Sequence, residues 1–298
     1  MHGTVAAAYL APEGLERTMA ECLARAGAGP VRWHGRLALS GLAPVPCPWA
    51  LDVWTAPEAV AVASIKTASD VLRARQRNWS LFAAGQHRRA ALIEARLPPV
   101  KGAALVFPGP APASHLGAWT LLAPDLLLLS ATKSTPVANG EWRFIEDRTG
   151  PPNRAYLKLW EALTRLGAWP APGDDCVDLG AAPGGWTSVL ASLGARVEAV
   201  DRAALDPAVA AMPGVVARAG DAFGVTPRPV DWLVCDVIAY PARSLELLRA
   251  WLPVARRVAC TLKFQGETDH EAAEAAAALP GVQVVHLWHN KHELTVMR

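Results

Sequence analysis

The sequence predicts an α/β protein of two parts: a C-terminal, Rossmann-like seven-strand sheet and, ahead of it, a smaller mixed α+β domain. Three observations carry this prediction. From Cys176 onward, short apolar runs alternate with helical patterns at the spacing of a parallel sheet covered on both faces. The first of these runs ends in a glycine-rich turn, Gly180 to Gly185, that opens a helix. The pattern changes after Gly150, which sets domains at residues 1–150 and 151–298.

In the first part, Val5–Leu10 reads as a strand, Glu13–Ala26 as a helix and Val31–Leu39 as a strand. Pro44, Pro46 and Pro48 then punctuate the chain. A basic stretch from Ser69 to Arg96 has helical composition with a break near Gly85, and Leu126–Ser130 is a strand. In the second part, a helix over Arg154–Leu166 follows Pro151-Pro152-Asn153, with Asn153 as its N-cap. Strands are expected at Cys176–Leu179, Arg196–Val200, Val215–Ala217, Trp232–Cys235, Val258–Leu262, Val282–Trp288 and Leu294–Met297. Helices fit at Gly185–Leu193, Pro241–Trp251 and Thr268–Leu279. The short link around Asn290 makes the last two strands antiparallel.

A chain of 298 residues that is 52% hydrophobic and 19% charged is globular rather than disordered. The longest apolar run, Leu121–Ala131, is interrupted by Asp125 and too short to cross a bilayer, and no secretory signal is apparent. Cys22, Cys47, Cys176, Cys235 and Cys260 show no metal-ligand spacing, so they read as reduced thiols of a cytoplasmic protein without a metal site. The net charge of +2 divides unevenly, +4 over residues 1–150 and −2 over the remainder. Lys66 to Lys101 holds eight basic residues and two acids. Its members Lys66, Arg73, Arg75, Arg77, Arg88 and Arg89 are candidates for binding a phosphate backbone. A solvated helix face is the plainer explanation of the same charges. Trp79 and Phe82 lie among them; either can stack on a base, although core packing is the commoner use.

The segment Cys176-Val-Asp-Leu-Gly-Ala-Ala-Pro-Gly-Gly-Trp186 is the most informative. Glycines there let backbone approach a ligand and aim helix N–H groups at it. The spacing is not GxGxxG, which disfavours a nicotinamide dinucleotide, and Pro183 removes a donor, which suits a carboxylate better than a diphosphate. Asp201 ends the next strand, where an acid can bind both ribose hydroxyls, and Asp221 follows the third strand, placed to accept from an adenine amino group. Asp236 and Lys263 each end an apolar strand, where a charge needs a partner or a task. Lys158 falls on the polar side of its helix with Arg154, Glu161 and Arg165, which makes it, on that evidence alone, an ordinary solvated lysine.

These residues resemble the FtsJ/RlmM group of RNA 2′-O-methyltransferases over roughly residues 150–298. The resemblance rests on Asn153-Arg-Ala-Tyr-Leu-Lys-Leu159, Val177-Asp-Leu-Gly-Ala-Ala-Pro-Gly-Gly-Trp-Thr187, Val234-Cys-Asp236 with Pro241-Ala242, Thr261-Leu-Lys263 and His292-Glu-Leu-Thr-Val296. It implies S-adenosylmethionine as cofactor, held by Gly180, Ala182, Pro183, Gly184, Gly185, Trp186, Asp201, Asp221 and Asp236. It implies a catalytic tetrad of Lys158, Asp236, Lys263 and Glu293, and as substrate the ribose of a ribosomal RNA nucleotide, a cytidine in the large subunit.

A free lysine, of pKa about 10.4, is protonated at neutral pH and is no base. A neighbouring cation such as Lys158 would ease proton loss from Lys263, while Asp236 and Glu293 pull the opposite way. Two departures are noted: Ala155 stands where the RlmM branch has a serine, and Ala182 where it has a cysteine. That branch also carries a THUMP-type RNA-binding domain in a longer N-terminal half, whose signature this sequence does not show. A small-molecule O-methyltransferase and an inert methyltransferase-fold RNA-binding module are the alternative readings.

Overall fold

The computed structural model describes residues 4–100, 102 and 104–298 and divides the chain into two compact units. Unit 1 is Met1–Ala104 with Pro112–Trp142; unit 2 is Leu105–Ala111 with Arg143–Arg298. The units thus part at Trp142, before the Gly150 boundary of the sequence, and the Pro/Gly-rich Leu105–Ala111 belongs with the second. It is tied there by a parallel bridge from Leu105 to Phe144 and by Phe107 stacking on Trp160, ring centroids 4.8 Å apart. Lys101, part of the basic stretch, lies outside the described residues. Among the described residues no helix is long and apolar enough to cross a membrane, and no cluster of His, Cys, Asp or Glu could hold a metal.

Unit 1 holds β1 (Ala7–Leu10), α1 (Glu16–Arg25), β2 (Val31–His34), β3 (Leu37–Ser40), β4 (Asp52–Trp54), β5 (Pro57–Ala61), α2 (Ile65–Arg75), β6 (Trp79–Leu81), α3 (His87–Glu94), β7 (Gly117–Ala123) and β8 (Leu126–Ser130). They form two four-stranded sheets, β2-β3-β1-β4 and β5-β8-β7-β6. Alternation sends Trp119 and Leu121 of β7 and Leu127 and Leu129 of β8 onto Leu72 of α2 and Ile93 of α3, while Ala118 and Leu128 meet Leu10 and Leu37 of the other sheet. The single strand expected over Val31–Leu39 is a hairpin folded at Gly35. The basic stretch is not helical throughout: the chain leaves α2 in extended conformation at Gln76, and β6 pairs parallel with β7. Trp79-Ser-Leu81 favours a half-buried strand over a helix, and Trp79 and Phe82 serve the core.

Unit 2 holds α4 (Tyr156–Leu166), β9 (Asp175–Leu179), α5 (Gly185–Ser192), β10 (Arg196–Asp201), α6 (Pro207–Ala210), β11 (Val215–Ala219), β12 (Val230–Cys235), α7 (Pro241–Trp251), β13 (Ala255–Lys263), α8 (His270–Ala277), β14 (Gln283–Val285) and β15 (Glu293–Met297). Seven strands make one sheet, β11-β10-β9-β12-β13-β15-β14. All pairs are parallel except those of β15, which runs antiparallel to both β13 and β14. This is the Rossmann-like sheet with the terminal hairpin that the sequence predicts. The order reverses beside β9, the crevice where open α/β sheets bind ligands.

Two local expectations differ. Asn153 is not the N-cap of α4; Ala155 occupies that position, and Asn153 Oδ1 accepts from the Ala155 N–H at 3.0 Å. The strand expected over Val282–Trp288 stops at Val285, because the chain turns there into a loop held against α4.

Candidate active site

Three strand ends and one helix converge on the cluster. Asp236 follows the last residue of β12. Thr261 and Lys263 lie two residues apart on β13 and so share a face. Lys263 stands directly across the antiparallel ladder from Glu293, the first residue of β15. Lys158 comes from the first turn of α4, whose start is fixed by the Trp186 indole N–H donating to the Ala155 carbonyl at 2.8 Å.

The Lys158 ammonium donates to both oxygens of Asp236, at 2.8 and 2.7 Å, and to Glu293 Oε1 at 3.1 Å. It also sits 5.9 Å from the centroid of the Trp186 ring, within reach of a cation–π attraction. Lys263 Nζ donates to the Asp236 carbonyl at 2.6 Å and lies 3.1 Å from its Oδ1, which also accepts from the Thr261 hydroxyl at 2.8 Å. Asp236 thus joins two ammonium groups, and the structure brings all four tetrad positions together. Burial works against charge on Lys158, but the carboxylates of Asp236 and Glu293 outweigh it and raise its pKa above the ordinary lysine value. Burial likewise pushes the Asp236 carboxyl up, and Lys158 and Lys263 outweigh it to a net lowering.

Lys158 is therefore not the solvated lysine its helical wheel suggests; it is buried, and Glu161 on the same face is completely so. A wheel separates polar from apolar sides but does not reveal that the polar side is covered by other polar groups. Thr261 is a member of the cluster that the sequence reading does not single out, although its place two residues before Lys263 on a strand points to it.

Two cavities adjoin the cluster. One, of about 440 Å³, is lined by Gly180, Ala182, Asp201, Asp221, Phe223, Asp236, Ile238, Arg243 and Lys263, among others. The other, of about 770 Å³, is lined by residues that include Arg154, Lys158, Ile238, Lys263, Phe264, His289, Lys291 and Glu293. Lys263 and Ile238 line both.

Of the nine residues expected at a cofactor, five line the smaller cavity. Pro183, Gly184, Gly185 and Trp186 do not line it; they shape the turn behind it. Gly180 has φ +75°, and a Cβ there would come within 2.8 Å of the Val237 backbone; Gly184, at φ +117°, would meet Val209 at 2.8 Å. Asp201 is pinned by the backbone N–H groups of Ala182 at 3.0 Å and Ala203 at 2.9 Å. Asp221 accepts from the Phe223 N–H at 3.1 Å and from Arg202 at 2.5 Å, which together hold its carboxyl below the usual range. The cavity therefore combines close backbone with two oriented carboxylates, Asp201 and Asp221, able to accept from the hydroxyl and amino groups of a purine nucleoside.

The six basic positions expected to bind RNA are all in unit 1. Lys66 pairs with Asp70 at 2.8 Å, Arg75 with Glu58 at 2.7 Å, and Arg73 donates to the Arg96 carbonyl. Arg77 and Arg88 are exposed and Arg89 is half-buried.

Residues 151–274 match the model of the FtsJ-like methyltransferase family. Ribosomal RNA large subunit methyltransferase M of Halorhodospira halophila (strain DSM 244 / SL1) is 42% identical over 156 residues, which cover 49% of this chain and 46% of the relative. The protein of the same name from Xylella fastidiosa (strain M12) is 36% identical over 194 residues, covering 59% and 55%. The chain spans about half the length of these curated relatives. Among solved structures, Aeropyrum pernix fibrillarin with bound S-adenosyl-L-methionine is 18% identical, with 60% of this chain and 81% of that one covered at a TM-score of 0.36.

Proposed function

We propose, since residues 151–274 match the FtsJ-like methyltransferase family model, that the chain transfers a methyl group from S-adenosylmethionine to a ribose 2′-hydroxyl of large-subunit ribosomal RNA. The observation that carries this reading is Lys263, whose ammonium belongs to the tetrad and lines both cavities at once. When bound in the smaller cavity, S-adenosylmethionine supplies an electrophilic methyl group. Asp201 would accept from its ribose hydroxyls and Asp221 from its adenine amino group, and the backbone at Gly180 would allow the rest a close approach.

The larger cavity takes the target nucleotide, with Arg154 and Lys291 on its wall to meet phosphate. In the reaction a bond would form from the 2′-oxygen to the methyl carbon as the methyl–sulfur bond breaks, and the hydroxyl proton would pass to Lys263 Nζ in its neutral amine form, the ammonium having first given a proton to solvent. Lys158 remains a cation beside it. Asp236 fixes the direction of both side chains, and Glu293 holds Lys158 from the other side. Much of the rate follows from orientation, which supplies about 7–11 kcal/mol in well-aligned systems.

The test is direct. The chain is incubated with labelled S-adenosylmethionine and deproteinised large-subunit RNA, and 2′-O-methyl positions are mapped by their resistance to alkaline cleavage. One new site, a cytidine by the family resemblance, is the expected result; label on a base or no label in RNA overturns the reading. Asp201→Ala should weaken S-adenosylhomocysteine binding by about 1–3 kcal/mol in calorimetric titration, the usual loss for a charged hydrogen bond.

Unit 1 is the part proposed to hold RNA, since the remainder of the chain is net acidic. Reversing Arg73, Arg75, Arg88 and Arg89 to Glu should weaken RNA binding and flatten its salt dependence, by a slope near 0.7 per lost single-strand contact. Filter binding across a salt series checks this, and unchanged slopes would mean that these arginines only solvate the surface.

A further inference from the structure

We propose that Glu161 is a positioning residue for the methyl transfer described above, locking the loop between β14 and β15 to the helix that carries Lys158. Its carboxylate is completely buried, though it lies on the polar side of α4. Oε1 accepts from Arg165 Nε at 2.9 Å and from the Trp288 N–H at 3.0 Å, while Oε2 accepts from the His289 N–H at 3.2 Å. A charge so deep in the protein is costly unless it is paired and fully hydrogen-bonded. Here the pairing is supplied by Arg165, four residues on, and the hydrogen bonds by a different element of the chain.

That element is the one that delivers the site. Trp288 and His289 begin the run Trp288-His289-Asn290-Lys291-His292-Glu293, in which His289, Lys291, His292 and Glu293 all line the larger cavity. The loop is internally braced: His286 Nε2–H donates to the Lys291 carbonyl at 2.9 Å, and Asn290 Nδ2 donates to the Glu293 carbonyl and the Thr295 hydroxyl, each at 3.1 Å. Burial holds His286 at about 4, so it stays neutral and keeps this one-donor arrangement. A braced loop moves as a unit, and Glu161 anchors that unit to α4. Lys158 lies one helical turn before Glu161, so one anchor sets the 3.1 Å contact between Lys158 and Glu293, which come from different elements.

The inference rests on the proposed reaction, and the experiment separates the two. Single-turnover methylation at saturating RNA and cofactor is measured for Glu161→Gln, Glu161→Ala, Glu293→Ala and the double variant Glu161→Ala/Glu293→Ala. Cofactor-product affinity and amide exchange at Trp288 and His289 are followed in parallel. Glu161→Ala should exchange faster at both amides and lose about 10- to 100-fold in rate, as small misplacements do, with S-adenosylhomocysteine affinity unchanged. Glu161→Gln keeps an acceptor and the side-chain shape, so it should fold and fall between the two.

In the double variant the Lys158–Glu293 contact is already gone, so the Glu161 loss should shrink severalfold. Full additivity of the two losses, or a wild-type rate in Glu161→Ala with faster exchange, would overturn the positioning role. A wild-type chain that methylates no RNA would instead overturn the reaction itself.

Discussion

Each unit buries a lysine–aspartate pair, and the two behave oppositely. In unit 1, Lys133 Nζ lies 2.8 Å from Asp52 Oδ2 and also donates to the carbonyls of Thr135 at 2.7 Å and Val137 at 2.6 Å. Both side chains are essentially inaccessible, and burial dominates: the Lys133 pKa is lowered and that of Asp52 raised despite their mutual attraction. In unit 2 the directions reverse, Lys158 raised and Asp236 lowered.

The difference is one of count and access. Lys158 meets two carboxylates and Asp236 two ammonium groups, enough to outweigh burial, and the cluster borders two cavities. A single enclosed pair with every donor used is a structural clip. A cluster with opposite charges in excess over a simple pair, at the edge of a cavity, keeps its charges on for a ligand.

Breaking each pair should therefore fail in a different way. Lys263→Ala should lower the single-turnover methylation rate by about 10²–10⁴-fold, the range for a lost proton acceptor, with S-adenosylhomocysteine affinity near wild type. Turnover close to wild type would remove Lys263 from the chemistry. Lys133→Ala should cost about 3–5 kcal/mol of stability in urea unfolding, because Asp52 is left charged and buried without its partner. The double change Lys133→Met/Asp52→Leu should recover most of that loss, since an apolar pair of similar volume often replaces a buried ion pair without penalty. Failure to recover would mean that Lys133's bonds to the Thr135 and Val137 carbonyls, rather than the ion pair, hold this part of unit 1.

The same contrast explains what the sequence made legible. Asp236 and Lys263 stand out because each closes an apolar strand, and the turn from Gly180 to Gly185 stands out because its glycines fall where a strand passes into a helix. The parallel sheet follows from the alternation of strands and helices, and the terminal hairpin from the short link around Asn290. The burial of Lys158 and Glu161 is hidden, because a helical wheel cannot distinguish water from a second set of polar groups; Lys158 is legible only through the family resemblance. In unit 1, β4, β5 and β7 escaped notice: β4 is three residues long, and β7 leads out of a Pro/Gly-rich segment without a clear start. The place of Leu105–Ala111 in unit 2 depends on Phe107 finding Trp160, a contact between residues far apart in sequence.

A further buried carboxylate sharpens the comparison, because among the described residues no cation pairs with it. Asp178, on β9, is completely buried; its Oδ2 accepts from the Thr187 hydroxyl at 2.6 Å, and its Oδ1 has no hydrogen-bond partner. Burial raises its pKa from 3.8 to about 7, with Asp236 and Asp201 adding to the rise. The folded state therefore binds this proton more tightly than the unfolded chain does. The stability it contributes is complete below the unfolded value and is lost as pH rises through about 7. Asp178→Asn keeps an acceptor for Thr187 but carries no proton to lose. Its urea-unfolding stability relative to wild type should thus be lowest near pH 4, climb steadily, and level off above pH 7. Every other titrating group is common to the two proteins, so the difference isolates Asp178. A difference that stays flat from pH 4 to pH 8 would mean that Asp178 is ionised throughout, stabilised by a partner its surroundings do not supply.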